Sequence, residues 1–266
     1  MLLPSYRTRF CQLLSTLKSL RDNDLIDGKG AFLNLGCGEG DFDRFILDHF
    51  SCGFGCDINA GDIQHCQDSA HGLALEYIVS DAHKLPYEDN SFDCAICIDV
   101  IEHTARPEAV IKESQRVLKP GGHAIFSYPR LRFPFFYDPI NFLLRPTGKH
   151  LPIGAYSYGH DKLIDDAQFS SWIKAAGYVA VSWRHLSGEI VGASECYWPG
   201  IAQKFLKRNA KNQTADDTGK TGLRPTGDIP KLVWLTDFLI NADRRLVSWL
   251  PGSIGNFFLL RKEQHG

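Results

Sequence analysis

The chain has 266 residues, of which 44% are hydrophobic and 23% charged, and its formal net charge is −2. These values are typical of a globular protein with one or two domains and a sizeable core, and they exclude a general attraction to nucleic acid or acidic lipid. Arg7 and Arg9 precede no long apolar run, and no stretch reaches the roughly 18 uncharged apolar residues of a membrane span. We therefore expect a cytoplasmic protein.

Eight cysteines are scattered along the chain, and no pair repeats at the spacing of a zinc site. Cys94 and Cys97 form a C-x-x-C pair, but they fall in a predicted strand, where residues three apart point to opposite faces. We therefore predict buried thiols in a reducing compartment and no metal site. A metal or redox role for the pair is the alternative.

The first predicted element is a helix over 5–21, in which apolar residues recur at helical spacing. They are Phe10, Leu13, Leu14, Leu17 and Leu20. We predict that residues 1–29 form a helical cover that packs on the core or near a cofactor.

A glycine-rich turn follows, between a predicted strand over 31–35 and an amphipathic segment over 42–50. Gly36, Gly38 and Gly40 allow positive φ or the close approach of a ligand, and the next helix directs its first N–H groups at that ligand. The glycine fingerprint of nicotinamide and flavin enzymes has a third glycine at the position where this chain has Asp41. Carboxylates at Glu39 and Asp41 suit a cofactor with a cationic end better than a pyrophosphate. A purely structural turn is the alternative.

Two further acids follow predicted strands over 52–58 and 75–79. Because ligands of open α/β sheets bind at the carboxyl ends of the strands, Asp57 and Asp81 are expected on the same rim as the glycines. Asp57 is placed to accept from both hydroxyls of a ribose, or else it is a solvated strand-end acid. Asp81 is placed to accept from an adenine amino group, while the amide of Ala82 donates to a ring nitrogen.

The chain continues with a buried strand over 92–100, a helix over 107–118 and a fifth strand over 123–128. A helix over 166–176 and a sixth strand over 178–185 come later. This alternation predicts a parallel sheet with helices on both faces.

These motifs together resemble a known family. The ordered segments LNLGCGEGDF, CDIN, SDAHKLPYEDNSFDCAICIDVIEH and RVLKPGGHAIFSYP are similar to those of the class I S-adenosylmethionine-dependent methyltransferases, and most similar to the small-molecule branch with ubiquinone- and menaquinone-type enzymes. The resemblance covers about residues 30–185. It implies a Rossmann-like, doubly wound α/β fold: a seven-stranded sheet, mostly parallel with an antiparallel last strand, and helices on both faces.

The resemblance also implies a cofactor, S-adenosyl-L-methionine, which leaves as S-adenosyl-L-homocysteine. Gly36, Cys37, Gly38 and Gly40 would shape its methionine pocket. Asp57 would hold the ribose with Ile58 against the adenine, Asp81 and Ala82 would read the adenine edge, and Asp99 would contact the methionine end. The family usually has an acid where this chain has Asn34, so Glu39, Asp41 or Asp99 would supply the missing charge.

The second half of the chain is where an acceptor would be chosen. We predict a methyltransferase core over 30–186 and 253–266, which includes an aromatic, proline-rich substrate loop or lid over 129–160. An insertion that packs on its own core is the alternative for that loop, and RNA binding through Arg130 and Arg132 is disfavoured without a wider basic patch.

A helical insertion is predicted over 187–252, with helices over 195–208 and 231–250 and a mobile loop over 211–228. The second helix carries an apolar stripe. Its members are Leu232, Leu235, Leu239, Ala242 and Leu246. This helix is open to three uses: it covers the core, pairs with another subunit in a homo-oligomer, or rests on a membrane surface. The final strand is predicted over 256–262.

The predicted reaction transfers a methyl group in line to a small, partly hydrophobic or lipid-like acceptor, at oxygen above other atoms. A hydroxyl must lose a proton, and the candidate bases are His160 and then His103. For each of them a helix-start or core histidine is the alternative. Rival functions are a non-catalytic cofactor-binding scaffold, methylation of protein or RNA, and a nicotinamide-dependent reductase.

Overall fold

The computed structural model describes residues 3–159, 163–197, 233–246, 249–250 and 252–264. Its strands are β1 (Ala31–Leu35), β2 (Cys52–Asp57), β3 (Leu75–Val79), β4 (Phe92–Ile98), β5 (Leu118–Pro129), β6 (Tyr178–Leu186) and β7 (Gly255–Lys262). The helices described are α1 (Pro4–Asp22), α2 (Asp43–Leu47), α3 (Ala60–Ser69), α4 (Pro107–Val117), α5 (Pro139–Leu144), α6 (Asp166–Ala175), α7 (Glu189–Glu195) and α8 (Val233–Leu246). Short 3₁₀ turns occupy Ile101–His103, Arg145–Thr147 and Gly154–Gly159.

The seven strands form one sheet in the order β3-β2-β1-β4-β5-β7-β6. Strand β1 pairs in parallel with β2 and β4, while β2 pairs in parallel with β3 and β4 with β5. One strand pairs antiparallel, and helices surround the sheet, so the predicted Rossmann-like fold is confirmed. The order reverses between β1 and β4, which is the switch point where such sheets bind ligands.

The chain divides into two compact units, which we call the sheet unit and the second unit. The sheet unit comprises Phe10–Tyr128, Asp166–Arg184 and Phe257–Gly266. The second unit comprises Met1–Arg9, Pro129–Asp165 and His185–Asn256. The structure thus groups the predicted substrate loop with the predicted insertion. The finer domain boundaries given above stay a prediction, and the predicted mobile loop over 211–228 lies outside the described residues.

The core of the sheet unit is built from central strands that are buried along most of their length, as expected of parallel strands covered on both faces. Its aromatic centre joins three elements. The ring of Phe169 on α6 lies 4.7 Å from the rings of both Tyr128 on β5 and Phe258 on β7. Burial of these large rings stabilises the sheet unit.

Strand β5 differs from the sequence-based prediction, because it begins at Leu118 instead of 123. Gly121 adopts a φ of +79°, and the pairing register shifts between Phe92 and Cys94 on the neighbouring strand. This irregularity lets the Lys-Pro-Gly-Gly segment, which we expected only to end the helix, join the strand.

Some of the helices also differ from the sequence-based prediction. Helix α7 ends at Glu195, where a helix was predicted to begin, and residues 198–208 of that prediction lie outside the described residues. Helix α3 was not predicted; Asn59 caps it by accepting from the amides of Gly61 and Asp62.

Cys94 and Cys97 are buried, and burial raises the pKa of both thiols. Within the described part of the chain, no three His, Cys, Asp or Glu side chains gather as a metal site. None of the described helices combines the length and the hydropathy needed to cross a bilayer.

Candidate functional site

The glycine-rich turn after β1 has the backbone that only glycine adopts readily. Gly36, Gly38 and Gly40 have φ angles of +66°, +54° and +73°. A side chain at position 36 would overlap Val100, so the turn packs tightly there. A Cβ at position 38 would meet nothing within 4 Å. The turn is therefore closed by protein at Gly36 and open at Gly38.

Asp57, at the end of β2, lies directly against this turn. Its Oδ2 accepts a hydrogen bond of 2.9 Å from the Gly38 amide, and its Oδ1 accepts one of 2.9 Å from the Asn59 amide. The Cys37 amide also donates to the carbonyl of Cys56 at 3.0 Å. Because a carboxylate oxygen has two lone pairs, each oxygen of Asp57 retains one for a ligand.

Asp81 follows β3 on the same edge of the sheet, where the Ser80 amide donates to the carbonyl of Asp57 at 3.0 Å. Its Oδ1 accepts from the backbone of His83 at 2.9 Å and lies 2.6 Å from Nδ1 of the same residue. These hydrogen bonds, the backbone one first, lower the pKa of Asp81 and keep an exposed carboxylate ionised. In a common type of turn, an Asp side chain accepts a hydrogen bond from the backbone amide two residues later. The sequence could therefore have identified His83 as the hydrogen-bond donor to Asp81.

Asp99 follows β4 in a strained conformation, with a φ of +53°. Its backbone amide donates to the carbonyl of Ser127 at 3.0 Å, and its Oδ1 accepts from the Ser127 hydroxyl at 2.8 Å. A non-glycine residue at positive φ costs about 1 kcal/mol or more and is enriched at binding sites.

Asn34 points to a buried carboxylate that the sequence analysis did not consider. Its Nδ2 donates a hydrogen bond of 2.6 Å to Oδ1 of Asp43, which is 1% exposed. Burial raises the pKa of Asp43 from 3.8 to about 6, and the hydrogen bond from Asn34 opposes part of that rise. The acid absent from position 34 is thus present nine residues later, at the start of α2.

The remaining residues predicted to bind the cofactor lie beside these groups. Cys37, Glu39 and Ala82 are half-buried. Ile58, next to Asp57, is 77% exposed, which is unusual for a large apolar side chain. The structure therefore brings the glycine turn, Asp57 and Asp81 together at the carboxyl ends of adjacent strands.

The two candidate bases differ in what can be said of them. His103 ends the 3₁₀ turn after β4, with its side chain 40% exposed and Nε2 3.9 Å from Oε1 of the buried Glu102. His160 lies outside the described residues.

Residues 33–126, which contain all these groups except Ser127 and His160, match the family model described as a methyltransferase domain. Over these residues the chain is similar to the class I S-adenosylmethionine-dependent methyltransferases, and among them to the ubiquinone-methyltransferase-like branch.

Curated relatives of this chain include a ubiquinone/menaquinone biosynthesis C-methyltransferase of Brucella canis, 32% identical over 44% of this chain and 47% of the relative. A sterol 24-C-methyltransferase of Gibberella zeae is 30% identical over 63% of this chain and 44% of the relative. The chain thus spans about half the length of the curated relatives it matches. Among solved structures, the [4+2]-cyclase SpnF superimposes with a TM-score of 0.59 over 95% of this chain and 82% of the cyclase, at 20% identity, which shows the fold alone.

The predicted substrate loop over 129–160 is held together by its own contacts. Phe133 is buried, and its ring lies 6.4 Å from those of Tyr137, Phe142 and Tyr156. These contacts favour the alternative given above, in which the segment packs on its own core. They do not test its role as a wall of the acceptor site, which stays a prediction.

A buried carboxylate ties this segment to a later one. Asp138 is fully buried and accepts from the Asn141 side chain at 2.6 Å, the Ala155 amide at 2.9 Å and the Tyr197 hydroxyl at 2.8 Å. Sequence reasoning missed Asp138, although an acid directly before Pro139 at a helix start is a recognisable cap.

Proposed function

We propose that this protein transfers a methyl group from S-adenosylmethionine to a small, partly apolar acceptor. The observation that carries the proposal is the contact between the glycine turn and Asp57, in which the carboxylate is oriented by two amides and keeps a lone pair on each oxygen. The proposed roles of the individual residues follow from this contact.

The ribose is assigned to Asp57. Vicinal hydroxyls present two O–H donors side by side, and a carboxylate with one lone pair left on each oxygen accepts both. The backbone amides of Gly38 and Asn59 fix the carboxylate before the ligand arrives, which reduces the entropy lost on binding.

The adenine is assigned to the neighbouring groups. Ile58 exposes a large apolar surface next to the ribose acid, which suits one face of a flat ring. Asp81, held ionised by His83, accepts from the amino group, while the Ala82 amide donates to a ring nitrogen.

The methionine end is assigned to the open side of the glycine turn. Open space at Gly38 and the half-buried carboxylate of Glu39 suit a ligand that carries an ammonium group and no phosphate. Asp99, oriented by Ser127, adds a second acceptor. Asn34 carries no charge, and its contribution is the hydrogen bond that it donates to the carboxylate of Asp43.

When bound, S-adenosylmethionine supplies a methyl group that its sulfonium charge has already activated. The protein then has to align the acceptor and take up its proton if the acceptor is a hydroxyl. His103 is our candidate base among the described residues, because the buried Glu102 carboxylate at 3.9 Å stabilises the positive charge that proton uptake creates. His160 remains the first candidate from the sequence.

The acceptor is proposed from the aromatic sequence of 129–160 and the names of the relatives. The relatives are named for carbon methylation of quinone precursors and sterols, whereas the sequence analysis placed the methyl group on oxygen. An alkylated hydroquinone offers both kinds of atom, so it is the acceptor we propose to test first.

Calorimetric titration with S-adenosylhomocysteine, and separately with NADH, tests the cofactor. We expect binding of the first only; binding of NADH alone would replace the proposal with a reductase. Incubation with methyl-labelled cofactor and an alkylated hydroquinone, a sterol, RNA or protein then tests the acceptor. Label in the hydroquinone supports the proposal, mass spectra locate it on oxygen or carbon, and label only in RNA or protein contradicts it.

A further inference from the structure

Helix α8 of the second unit is oriented by its polar side chains. Thr236 and Asp243, two helical turns apart, are both buried. The Asp243 carboxylate accepts from the amides of Ile190 and Val191 at 2.8 and 3.3 Å and also from Gly188, so it caps the start of α7. A carboxylate at a helix N-terminus is stabilised by the amides and the helix dipole. This cap fixes which side of α8 faces the rest of the second unit.

A second contact holds the same orientation. Asp237 forms a two-pronged ion pair with Arg7 near the start of α1, with Nε to Oδ1 at 2.5 Å and the second nitrogen to Oδ2 at 3.0 Å. Two parallel charge-assisted hydrogen bonds define a direction better than a single one.

The apolar residues of α8 consequently face solvent. Trp234 and Phe238 are each 63% exposed, and Leu235 and Leu246 are 46% and 65% exposed. At 100° per residue these four lie within about 120° of one another, on the side opposite Thr236 and Asp243. The predicted stripe through Leu235 and Leu246 therefore does not face the core.

Trp249 extends this surface beyond the helix. Its side chain is 77% exposed, and its indole N–H donates to the carbonyl of Leu246 at 3.1 Å. Tryptophan therefore stands at both ends of the surface formed by Trp234, Leu235, Phe238, Leu246 and Trp249, which we call the α8 face.

The charged side chains of α8 differ in their exposure and in their partners. Asp243 is buried, whereas the Asp237 side chain is 41% exposed and is paired with Arg7. Both bases, Arg244 and Arg245, are exposed, and Arg245 lies two turns from Phe238 on the same side. The α8 face thus presents aromatic and aliphatic side chains together with the positive charge of Arg245, and Arg244 lies to one side of this face.

We propose that the α8 face docks on an anionic lipid bilayer. Interfacial helices combine Trp, Phe and Leu that enter the headgroup region with Arg or Lys that bind acidic headgroups. A surface that stays in water gains nothing from Trp234 and Phe238, which are exposed because Asp243 and Asp237 fix the orientation of the helix. A second copy of the chain fits less well, because its own α8 face would bring Arg245 against a like charge.

Flotation with vesicles tests the proposal on the full chain without any assay of methylation, so its outcome is independent of the proposed function. We expect binding to phosphatidylcholine vesicles that contain about one-third phosphatidylglycerol, and weak binding to phosphatidylcholine alone. Bromine-labelled lipid should quench part of the tryptophan fluorescence of the bound protein. Failure of the protein to float with the acidic vesicles overturns the proposal.

Two pairs of variants identify the surface. Trp234→Ser/Phe238→Ser should weaken vesicle binding by at least about tenfold, because two inserted side chains are lost. Its control is Trp183→Ser, which removes an exposed tryptophan of the sheet unit. Arg244→Gln/Arg245→Gln should weaken binding to acidic vesicles by about thirtyfold and leave binding to neutral vesicles unchanged. Its control is Lys112→Gln/Lys174→Gln, which removes two exposed charges elsewhere.

Circular dichroism at matched temperature shows whether each variant is folded. Equal losses in a variant and its control overturn the assignment to the α8 face. Dimers in solution that become monomers in the Trp234/Phe238 variant, without vesicle binding by the parent protein, show a subunit interface and also overturn it.

Discussion

Asn34, near the end of β1, donates a hydrogen bond of 2.6 Å to the buried carboxylate of Asp43 at the start of α2. The burial of Asp43 has an energetic consequence, because its side chain is removed from water. Its pKa rises to about 6 from an ordinary 3.8. The folded protein therefore binds this proton more tightly than the unfolded chain does.

The first prediction concerns stability and pH. Because the pKa of Asp43 is higher in the folded protein than in the unfolded chain, proton binding by Asp43 stabilises the folded state. This stabilisation is complete below pH 3.8 and is lost as the pH rises through about 6. At about 1.4 kcal/mol per pH unit, the loss amounts to about 3 kcal/mol. Asp43→Asn, which retains an acceptor for Asn34 and carries no charge, should be more stable than the parent at pH 7.5 and closer to it at pH 4.5.

Urea unfolding at both pH values measures this difference. The control is Asp68→Asn on the exposed side of α3, where the side chain accepts from Gln64, so this variant removes a carboxylate that is not buried. Parallel pH profiles for the parent and Asp43→Asn would contradict the prediction.

The second prediction concerns the ribose acid. Asp57→Ala should weaken binding of S-adenosylhomocysteine by about 2–4 kcal/mol, since two charge-assisted hydrogen bonds are lost together with the anchor of the glycine turn. Asp57→Asn retains one acceptor and should lose less. Calorimetry gives both affinities, and equal affinity in the parent and Asp57→Ala would remove this residue from the site.

The third prediction separates backbone strain from ligand contact. Gly38 and Gly72 both have positive φ, +54° and +81°, and a Cβ at either position meets nothing within 4 Å. Alanine at each position should therefore cost a similar amount of stability, about 1 kcal/mol. Only Gly38→Ala should also weaken S-adenosylhomocysteine binding, because its methyl group enters the space assigned to the cofactor.

Thermal unfolding and calorimetry on this pair give a direct comparison. If Gly72→Ala lowers the affinity as much as Gly38→Ala does, the effect comes from general destabilisation and not from the site.

The fourth prediction concerns the second unit. Asp138→Ala should destabilise it by about 3 kcal/mol or more, because several buried donors lose their acceptor at once. Tyr197→Phe removes one of these donors and should cost about 1 kcal/mol. Limited proteolysis within 129–160 and urea unfolding report the loss; an Asp138→Ala variant as resistant as the parent would show that the network adds little.

The elements that the sequence predicted correctly are those that depend on local signals. Strands β1–β4 and the glycine turn follow from short apolar runs and positive-φ glycines, which act within a few residues. The positions of Asp57 and Asp81 then follow from the rule that parallel strands align their carboxyl ends.

What the sequence did not reveal depends on contacts between distant residues. The outward orientation of Leu235 and Leu246 follows from Asp243 capping α7 and from Asp237 binding Arg7. Periodicity locates an apolar stripe but does not say what it faces. The Asn34–Asp43 hydrogen bond was missed for the same reason, since a hydrophobic pattern around Phe42 and Ile46 gives no sign of a buried acid.

The pairing of Arg7 with Asp237 has a consequence for synthesis on the ribosome. The arginine is translated 230 residues before its aspartate. Strand β6 also waits for its partner, because its neighbour in the sheet is β7, which is translated later. A nascent chain that stalls before Asp237 lacks both contacts, so the segment from Asp237 to β7 completes two separate parts of the fold.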